Sequence, residues 1–235
     1  PSTGEGQGGG EGGWRLTVGE RKRILLANLY GVDIDPQAVE VTKLSLLLKV
    51  LEGETGETLG LRQMKLFHER ALPDLDANIL CGNSLIGSDF FDGRLDLEAE
   101  ERRRINAFDW AAGFPGVFKS PPAPLLQRGE QVQPQSSQAG SPLSQRGDRG
   151  DFSDGFDAVI GNPPYVRQES LADFKAYFAD HYEAYNGTAD LYVYFMELGV
   201  RLIKPGGVYG IIVSSSFLRA AYGEALRRTL KKHAA

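Results

Sequence analysis

The sequence predicts an α/β fold with a mostly parallel sheet and helices on both of its faces. Two observations predict this class. Segments with the apolar spacing of strands alternate with segments that have the spacing of helices. In addition, the four clearest strand candidates are continuous apolar runs, which is typical of strands that helices cover on both faces. Their sequences are YGVDI, NILCG, FDAVIG and VYGIIV, at residues 30–34, 78–82, 156–161 and 208–213.

The clearest helix signal lies in residues 35–53, DPQAVEVTKLSLLLKVLEG. We expect Asp35 to cap the N-terminus of this helix. Pro36 suits the first helical position, because an N–H there would have no partner within the helix. The predicted apolar side of the helix consists of Val39, Leu44, Leu47 and Leu48.

The remaining elements follow from the same patterns of spacing and capping. Residues 19–29 predict a helix, and residues 77–87 predict a strand that runs into a Gly-Asn-Ser loop. Residues 95–110 predict a charged, exposed helix. The second half of the chain predicts helices at 170–182 and 188–203, a KPGG turn at 204–207, a strand at 208–216, and a basic helix at 218–233.

Composition divides the chain into four parts. Residues 1–13 form a Gly-rich lead without apolar anchors, which we expect to be flexible. Residues 119–151 are rich in Pro, Gln, Ser and Gly and contain the near-repeats PLLQRGE and PLSQRGD, so we expect a disordered insert. The two parts of one folded domain are then residues 14–118 and 152–235.

Composition also limits the class of protein. The 235 residues are 41% hydrophobic, which is enough to bury one good core. The single Cys81 excludes an internal disulfide, and no apolar run approaches the roughly 20 residues that a membrane helix needs. The net charge of -5 gives no overall attraction to phosphate, so nucleic-acid binding would require a local basic surface or another domain. We therefore expect a soluble, intracellular protein.

Polar residues follow three of the predicted strands, and ligands of open α/β sheets bind beyond the carboxyl ends of the strands. Asp33 ends the first strand, where an acid can bind ribose hydroxyls, and a helix-capping role is the alternative. Asn83 follows the second strand beside Gly82 and offers a ligand both a donor and an acceptor. A simple Asn-Ser turn that includes Ser84 is the alternative at this position.

The third polar loop is Asn162-Pro163-Pro164-Tyr165, directly after the apolar run FDAVIG. Each proline fixes its own φ and restricts the residue before it, so the loop is rigid. Prolines lack an N–H, so the Asn162 amide and the neighbouring carbonyls form fixed acceptors that suit an amino group on a planar ring. Tyr165 offers that ring a flat face. A rigid strand exit in which Tyr165 covers the core is the alternative.

Together with their flanks, these motifs resemble the catalytic domain of amino-group DNA methyltransferases. YGVDIDPQAV and ILCGNSLIG precede the NPPY tetrapeptide, and GTADLYVYFMELGVRLIKPGGVYGIIVSSSFL follows it. The motif order is similar to the gamma class of adenine-specific enzymes, particularly those fused in Type IIG restriction-modification proteins, from about Arg21 to Arg228 without the insert. The resemblance implies an incomplete Rossmann-like methyltransferase fold. It also implies methyl transfer from S-adenosylmethionine to the 6-amino group of an adenine flipped out of DNA.

The resemblance implies a role for each cofactor-binding candidate by its position. Asp33 binds the ribose of S-adenosylmethionine, and Ile34 flanks the adenine of the cofactor. Asn83, with Ser84 beside it, lies where many relatives have an Asp that contacts the adenine amino group of the cofactor. Asn at this position keeps an acceptor but loses the charge.

The catalytic roles follow from the resemblance in the same way. Asn162 and the Pro163 carbonyl accept hydrogen bonds from the target amino group, Pro164 keeps the loop rigid, and Tyr165 stacks on the flipped base. These contacts draw the amino nitrogen out of conjugation, so catalysis is mostly orientation and electrostatic placement.

The sequence departs from the family pattern in what surrounds these motifs. A Gly-rich loop of the kind Asp/Asn-Pro-x-x-Gly-x-Gly is missing before Asp33, and a target-recognition domain is missing as well. We therefore expect a fragment of a prokaryotic cytoplasmic enzyme that is inactive by itself, with double-stranded DNA bound mainly by the missing domain. A protein-glutamine methyltransferase of the release-factor type and a non-catalytic remnant are the alternatives. We expect no metal site, since His68, His181 and His233 lack metal-ligand spacing.

Overall fold

The computed structural model describes residues 16–52, 73–94, 98–118, 155–164 and 166–233. The chain divides into two compact units, Pro1–Leu80 and Cys81–Ala235. The predicted insert at 119–151 and the predicted lead at 1–13 lie outside the described residues, so the four-part division by composition stays a prediction.

The described residues of the first unit form two helices and a pair of short strands. Helix α1 spans Val18–Asn28, strand β1 Gly31–Asp33, helix α2 Pro36–Leu51, and strand β2 Ile79–Cys81, which ends at the boundary between the units. The two strands form a two-stranded sheet. The core of the unit consists of Leu25, Val39, Val50, Leu75 and Ile79, with Val18, Leu46 and Leu47 packed against it.

The start of α2 confirms the sequence prediction, but its apolar side is partly different. The Asp35 carboxylate accepts a hydrogen bond from the Gln37 N–H at 2.8 Å, and Pro36 is the first helical residue. Leu44 and Leu48, predicted to belong to the buried side, are 57% and 60% exposed. The helix is apolar on two sides, and the side that continues through positions 39, 46 and 50 is the one that contacts this core.

The second unit is built on a pair of parallel strands. Strand β3 spans Phe156–Gly161 and strand β4 spans Ile203–Ile211. The helices among its described residues are α3 Ala99–Ile105, α4 Trp110–Gly113, α5 Lys175–His181, α6 Tyr192–Leu202 and α7 Gly223–His233. Short 3-10 helices occupy Ser88–Phe91, Gln168–Phe174 and Ser215–Leu218.

Aromatic side chains dominate the core of the second unit. Tyr192, Tyr194 and Phe178 are among its largest fully buried residues, and Leu226 of α7 is 0% exposed. The rings of Phe178 and Tyr194 stack with their centroids 4.2 Å apart, which joins α5 to α6. A second aromatic group lies around the start of β3 and consists of Phe108, Trp110, Phe114, Phe118 and Phe156.

The KPGG segment lies within the span of β4 and not before it. Phe156 of β3 pairs with Ile203, whereas Ala158 pairs with Val208, so residues 204–207 loop out of the strand pairing. Gly206 has a φ of 80°, which residues other than glycine adopt only with strain. The turn chemistry of KPGG is therefore as predicted, but the strand begins before it.

The prediction that helices cover both faces of the strands stays a prediction, and some strand side chains of the second unit are exposed. Ile160 is 88% exposed, Val208 67% and Ile212 66%. The described strands form two sheets of two strands each. The parallel pairing of β3 with β4 confirms the predicted class in part, and a wider Rossmann-like sheet stays a prediction.

Predicted helices of the second unit begin later than the apolar spacing indicates. The helix predicted at 188–203 begins at Tyr192. The segment predicted as a helix at 170–182 remains a 3-10 helix up to Phe174. The terminal helix starts at Gly223 instead of residue 218. The Ser214 hydroxyl accepts a hydrogen bond from the Ser216 N–H at 3.2 Å, and Arg227 donates to the carbonyls of Phe217 and Ala220, so the chain makes a separate 3-10 turn there.

Helix α6 packs closely on β4 at Gly199, and this contact gives a stability prediction. A Cβ added at Gly199 would lie 2.2 Å from the ring of Tyr209, whose hydroxyl donates to the Phe195 carbonyl at 2.9 Å. We expect Gly199→Ala to lower the free energy of unfolding by about 1–3 kcal/mol, because overpacking outweighs the roughly 1 kcal/mol that alanine adds in helix propensity. Urea denaturation of both proteins measures the change.

The control for this substitution is Gly116→Ala. Gly116 lies in a turn, and no heavy atom would lie within 4 Å of an added Cβ. We expect a change within about 0.5 kcal/mol there. Equal effects of the two substitutions would contradict the close packing of α6 on Tyr209.

Candidate active site

The Asn162-Pro163-Pro164 loop lies at the carboxyl end of β3. The Ile212 N–H donates to the Gly161 carbonyl at 3.1 Å, so the strand pairing continues to the residue before Asn162. Asn162 is exposed, whereas Pro163 is buried. The structure thus presents Asn162 at the sheet edge and anchors the loop with the first proline. Tyr165 lies outside the described residues, so its role as a stacking residue stays a prediction.

The exit of the loop is anchored to helix α6. The Pro164 carbonyl accepts a hydrogen bond from the Val166 N–H at 3.0 Å. The Val166 carbonyl in turn accepts from the Leu191 N–H at 3.1 Å, immediately before the first residue of α6. Backbone hydrogen bonds therefore hold the loop on its strand side and on its helix side.

A serine turn follows β4 at the same edge of the sheet, because β3 and β4 are parallel. The hydroxyl oxygens of Ser214 and Ser216 lie 2.6 Å apart. Sequence reasoning assigned this segment to a strand and missed the turn. Three consecutive serines after an apolar run are the signal that indicates such a turn.

Asp33 and Ile34 lie in the first unit, at the end of β1. Asp33 is the last residue of the strand and is exposed. Its Oδ1 atom accepts a hydrogen bond from the Asp35 N–H at 2.8 Å, which fixes the turn into α2. Ile34 is 56% exposed. An acid and an exposed apolar residue thus lie side by side at the strand end, and Asp35 performs the capping that was the alternative for Asp33.

Asn83 and Ser84 lie in the second unit and take part in a turn. The Asn83 N–H donates to the Asn106 carbonyl at 2.6 Å, and its side-chain Oδ1 accepts from the Leu85 N–H at 3.2 Å. The Ser84 carbonyl accepts from the Trp110 indole N–H at 3.1 Å. These contacts support the alternative of an Asn-Ser turn. Cofactor binding by both residues stays a prediction.

A buried carboxylate on α6 was not singled out from the sequence. Glu197 is 0% exposed, and its oxygens accept hydrogen bonds from the N–H groups of Glu183 at 3.0 Å and Ala184 at 2.7 Å. Arg201, one helical turn later, pairs with the same carboxylate and donates to the His181 carbonyl at 3.1 Å. An acid in the apolar run of α6, followed four residues later by Arg, is the signal that could have indicated it.

A second polar group joins the Ser88–Phe91 turn to α5. The Tyr177 hydroxyl accepts from the Gly87 N–H and donates to Asp89, both at 2.9 Å. Burial raises the pKa of Tyr177, so its hydroxyl remains a donor. The His181 ring stacks on Tyr177 with centroids 3.8 Å apart, and its Nε2 atom lies 2.7 Å from Asp89. These contacts hold the turn on the helix.

Two kinds of feature are absent from the described part of the chain. Its residues include no group of three or more His, Cys, Asp or Glu side chains that could hold a metal ion. None of its helices is long and apolar enough to cross a membrane.

Comparison with known protein families shows which family the chain belongs to. A family described as the Eco57I restriction-modification methylase matches residues 27–235, which include β1, β3 and the Asn162 loop. The chain belongs to the Eco57I family. This match confirms the prediction, made from the order of the motifs, of an amino-group DNA methyltransferase of the restriction-modification type.

Relatives of this Eco57I-family chain carry consistent names. It is 28% identical over 224 residues to the type II restriction enzyme and methyltransferase RM.Eco57I of Escherichia coli, which covers 94% of this chain. It is 26% identical over 227 residues to the adenine-specific methyltransferase PglX of Streptomyces coelicolor, covering 93% of this chain. A shorter match of 75 residues, 44% identical, covers 31% of the chain and relates it to the type II methyltransferase M.BstVI of Geobacillus stearothermophilus.

The Eco57I-family chain is much shorter than these relatives. The matched region spans 17% of RM.Eco57I, 16% of PglX and 13% of M.BstVI.

The buried Glu197 of this Eco57I-family chain gives a pH prediction. Burial raises the pKa of Glu197 above 4.5, although Arg201 and the N–H groups of Ala184 and Glu183 act to lower it. The native state therefore keeps a proton at pH values where the unfolded chain has released it. The stability linked to this proton is fully present below pH 4.5 and is lost as the pH rises through the raised pKa.

The measurement compares the wild type with Glu197→Gln, which cannot titrate. The free energy of unfolding of each protein is measured by urea denaturation at pH values between about 4 and 8. We expect the value for wild type minus the value for Glu197→Gln to fall as the pH rises. A difference that grows with pH would contradict the raised pKa of Glu197.

Proposed function

We propose that this chain supplies the catalytic part of an adenine-specific DNA methyltransferase in a restriction-modification or related defence enzyme. The methyl group of S-adenosylmethionine is transferred to the 6-amino group of an adenine flipped out of double-stranded DNA. Membership of the Eco57I family supports methyl transfer. The observation that carries the proposal is the exposed Asn162 at the carboxyl end of β3, beside a buried Pro163.

In the proposed reaction, Asn162 and its loop orient the target amino group. The Asn162 side-chain oxygen and the Pro163 carbonyl accept hydrogen bonds from the two N–H groups of the target amino group, and Tyr165 stacks on the base. The nitrogen lone pair then points at the methyl carbon. The N–C bond forms as the S–C bond of the sulfonium breaks, and one amino proton leaves to solvent afterwards. No metal is required for this transfer.

We propose that Asp33, Ile34, Asn83 and Ser84 bind S-adenosylmethionine. The residues at the end of β1 fit the cofactor. The exposed Asp33 carboxylate can accept hydrogen bonds from the ribose hydroxyls, and the 56% exposed Ile34 can cover an adenine ring. Asn83 fits less directly, since its Oδ1 atom already accepts from the Leu85 N–H. The cofactor supplies the activated methyl group, and the chain positions it.

DNA binding is proposed to depend mainly on residues other than those of this chain. The net charge of -5 gives the chain no overall attraction to the DNA backbone. We therefore expect the 235-residue chain to be inactive by itself. We also propose that the enzyme acts in the prokaryotic cytoplasm. Among the alternatives, the names of the relatives favour DNA methylation over glutamine methylation of protein.

A calorimetric titration with S-adenosylmethionine tests the proposed cofactor residues. We expect Asp33→Ala to raise the dissociation constant about 10- to 100-fold, because charged hydrogen bonds contribute about 1.5–3 kcal/mol. Asp173→Ala, another exposed aspartate, serves as the control and should leave binding unchanged.

The titration is performed on the 235-residue chain and on the full-length product of its gene. Equal affinity of the wild type and Asp33→Ala would exclude Asp33 from cofactor binding. No binding by either wild-type protein would support the alternative of a remnant that has lost its cofactor.

A further inference from the structure

The buried carboxylate of Glu197 is not used by the proposed reaction, yet its contacts lead to the Asn162-Pro163-Pro164 loop. Its partners in the backbone are the N–H groups of Glu183 and Ala184, at 3.0 and 2.7 Å. Both residues lie at the start of segment 182–191, which connects α5 to α6. A fully buried carboxylate with several donors is a rigid attachment point, because an unpaired donor there would be costly.

The other end of the same segment anchors the residues that follow the Asn162-Pro163-Pro164 loop. The Leu191 N–H donates to the Val166 carbonyl at 3.1 Å, and the Val166 N–H donates to the Pro164 carbonyl at 3.0 Å. Segment 182–191 is thus held by Glu197 at its start and holds the loop at its end. Arg201 strengthens the first attachment, since it pairs with Glu197 and also binds the His181 carbonyl just before the segment.

We propose that Glu197 is a positioning residue for methyl transfer: it holds segment 182–191 so that Leu191 fixes the exit of the Asn162-Pro163-Pro164 loop. The inference rests on the proposed function, because the loop is taken to orient the target amino group. Glu197 does not touch substrate or cofactor in this role. It sets the orientation of Asn162 through two backbone attachments.

The first test is Glu197→Gln in the full-length gene product, with Glu183→Gln as the matched control. The side chain of Glu183 is 54% exposed and pairs at the surface with Lys232. We expect Glu197→Gln to lower kcat at least about tenfold, the factor that about 1.4 kcal/mol of lost positioning gives, without a change in KM for S-adenosylmethionine. Glu183→Gln should leave both constants unchanged.

A backbone variant keeps the test valid if Glu197→Gln fails to fold. Leu191 has a φ of -54°, which proline can adopt, so Leu191→Pro removes the N–H that binds Val166 with little change in the chain path. Leu191→Ala keeps this N–H and loses the side chain. We expect Leu191→Pro to lower kcat at least about tenfold relative to Leu191→Ala, again with an unchanged KM for S-adenosylmethionine.

Base flipping gives a readout that a loss of folding does not imitate. A DNA duplex with 2-aminopurine at the target position should gain fluorescence with wild type and with Glu183→Gln, and less with Glu197→Gln at saturating protein. Equal kcat and equal fluorescence for Glu197→Gln and wild type would overturn the proposal.

Hydrogen exchange separates this proposal from the proposed function. We expect the Leu191 amide to exchange faster in Glu197→Gln than in Glu183→Gln, whether or not the protein methylates DNA. An unchanged Leu191 amide would overturn the positioning role even in an active enzyme. Faster exchange in a protein that transfers no methyl group to DNA would contradict the proposed function alone.

Discussion

Asn162→Ala should abolish most methyl transfer by the full-length gene product while leaving cofactor binding intact. The substitution removes the side-chain acceptor that we assign to the target amino group, and loss of one preorganised hydrogen-bonding group in an active site lowers kcat by about 100- to 1,000-fold. Because Asn162 is exposed at the strand end, the fold should tolerate alanine there. Incorporation of tritiated methyl groups into DNA measures the rate.

Two controls define this result. Asn28→Ala, at an exposed asparagine on α1, should leave the rate unchanged. Asn162→Asp keeps an acceptor oxygen at the same position, so its rate should lie between those of wild type and alanine. An Asn162→Ala protein that binds S-adenosylmethionine and transfers methyl groups at the wild-type rate would exclude Asn162 from catalysis.

Arg201→Ala should have the largest effect on stability. Arg201 pairs with the carboxylate of Glu197, which is 0% exposed, and lies over the ring of Tyr182 at 5.2 Å. Its removal leaves a buried charge without its cation, which lowers the free energy of unfolding by about 3–5 kcal/mol for a fully buried pair. The Arg201 side chain is 22% exposed, so we expect about 3 kcal/mol, measured by urea denaturation at pH 7.

A double-mutant cycle identifies the cause of this loss. In the Glu197→Gln background the buried charge is gone, so Arg201→Ala should destabilise the protein by at least about 1 kcal/mol less than it does in wild type. Equal losses in the two backgrounds would show that packing of Arg201 on Tyr182, and not the ion pair, accounts for the effect.

Local chemistry made parts of the fold predictable. Asp35 and Pro36 define the start of α2 through contacts within four residues, and the structure confirms both. The buried side of α2 depends on what packs against it, and that information is absent from the helix itself. Leu44 and Leu48 have the spacing of core residues but are exposed.

Strand pairing and helix starts were less predictable for the same reason. The KPGG turn was recognised from its residues, but its place inside the β4 pairing depends on the register with Phe156 and Ala158. The terminal helix begins at Gly223 because Arg227 binds carbonyls of the preceding turn, a contact that apolar spacing does not reveal.

The candidate site was predictable where a motif carries the chemistry. Asn162 and Asp33 lie at strand ends, as expected, because each directly follows an apolar run. Glu197 was missed, although Arg201 four residues later is a signal in the sequence. The other partners of Glu197 are backbone N–H groups of Glu183 and Ala184, and a backbone N–H has no sequence signature. Asn83 was recognised, and its turn contacts match the simpler of its two interpretations.

The measurement that tests the central claim most directly is mass spectrometry of nucleosides. The full-length gene product is incubated with DNA and S-adenosylmethionine that carries a trideuterated methyl group, and the digested DNA is examined for labelled bases. We predict label on the 6-amino group of adenine, and none when Asn162→Ala replaces the wild type. Label on cytosine, label only on glutamine of a protein substrate, or no label from a protein that binds the cofactor would contradict the proposal.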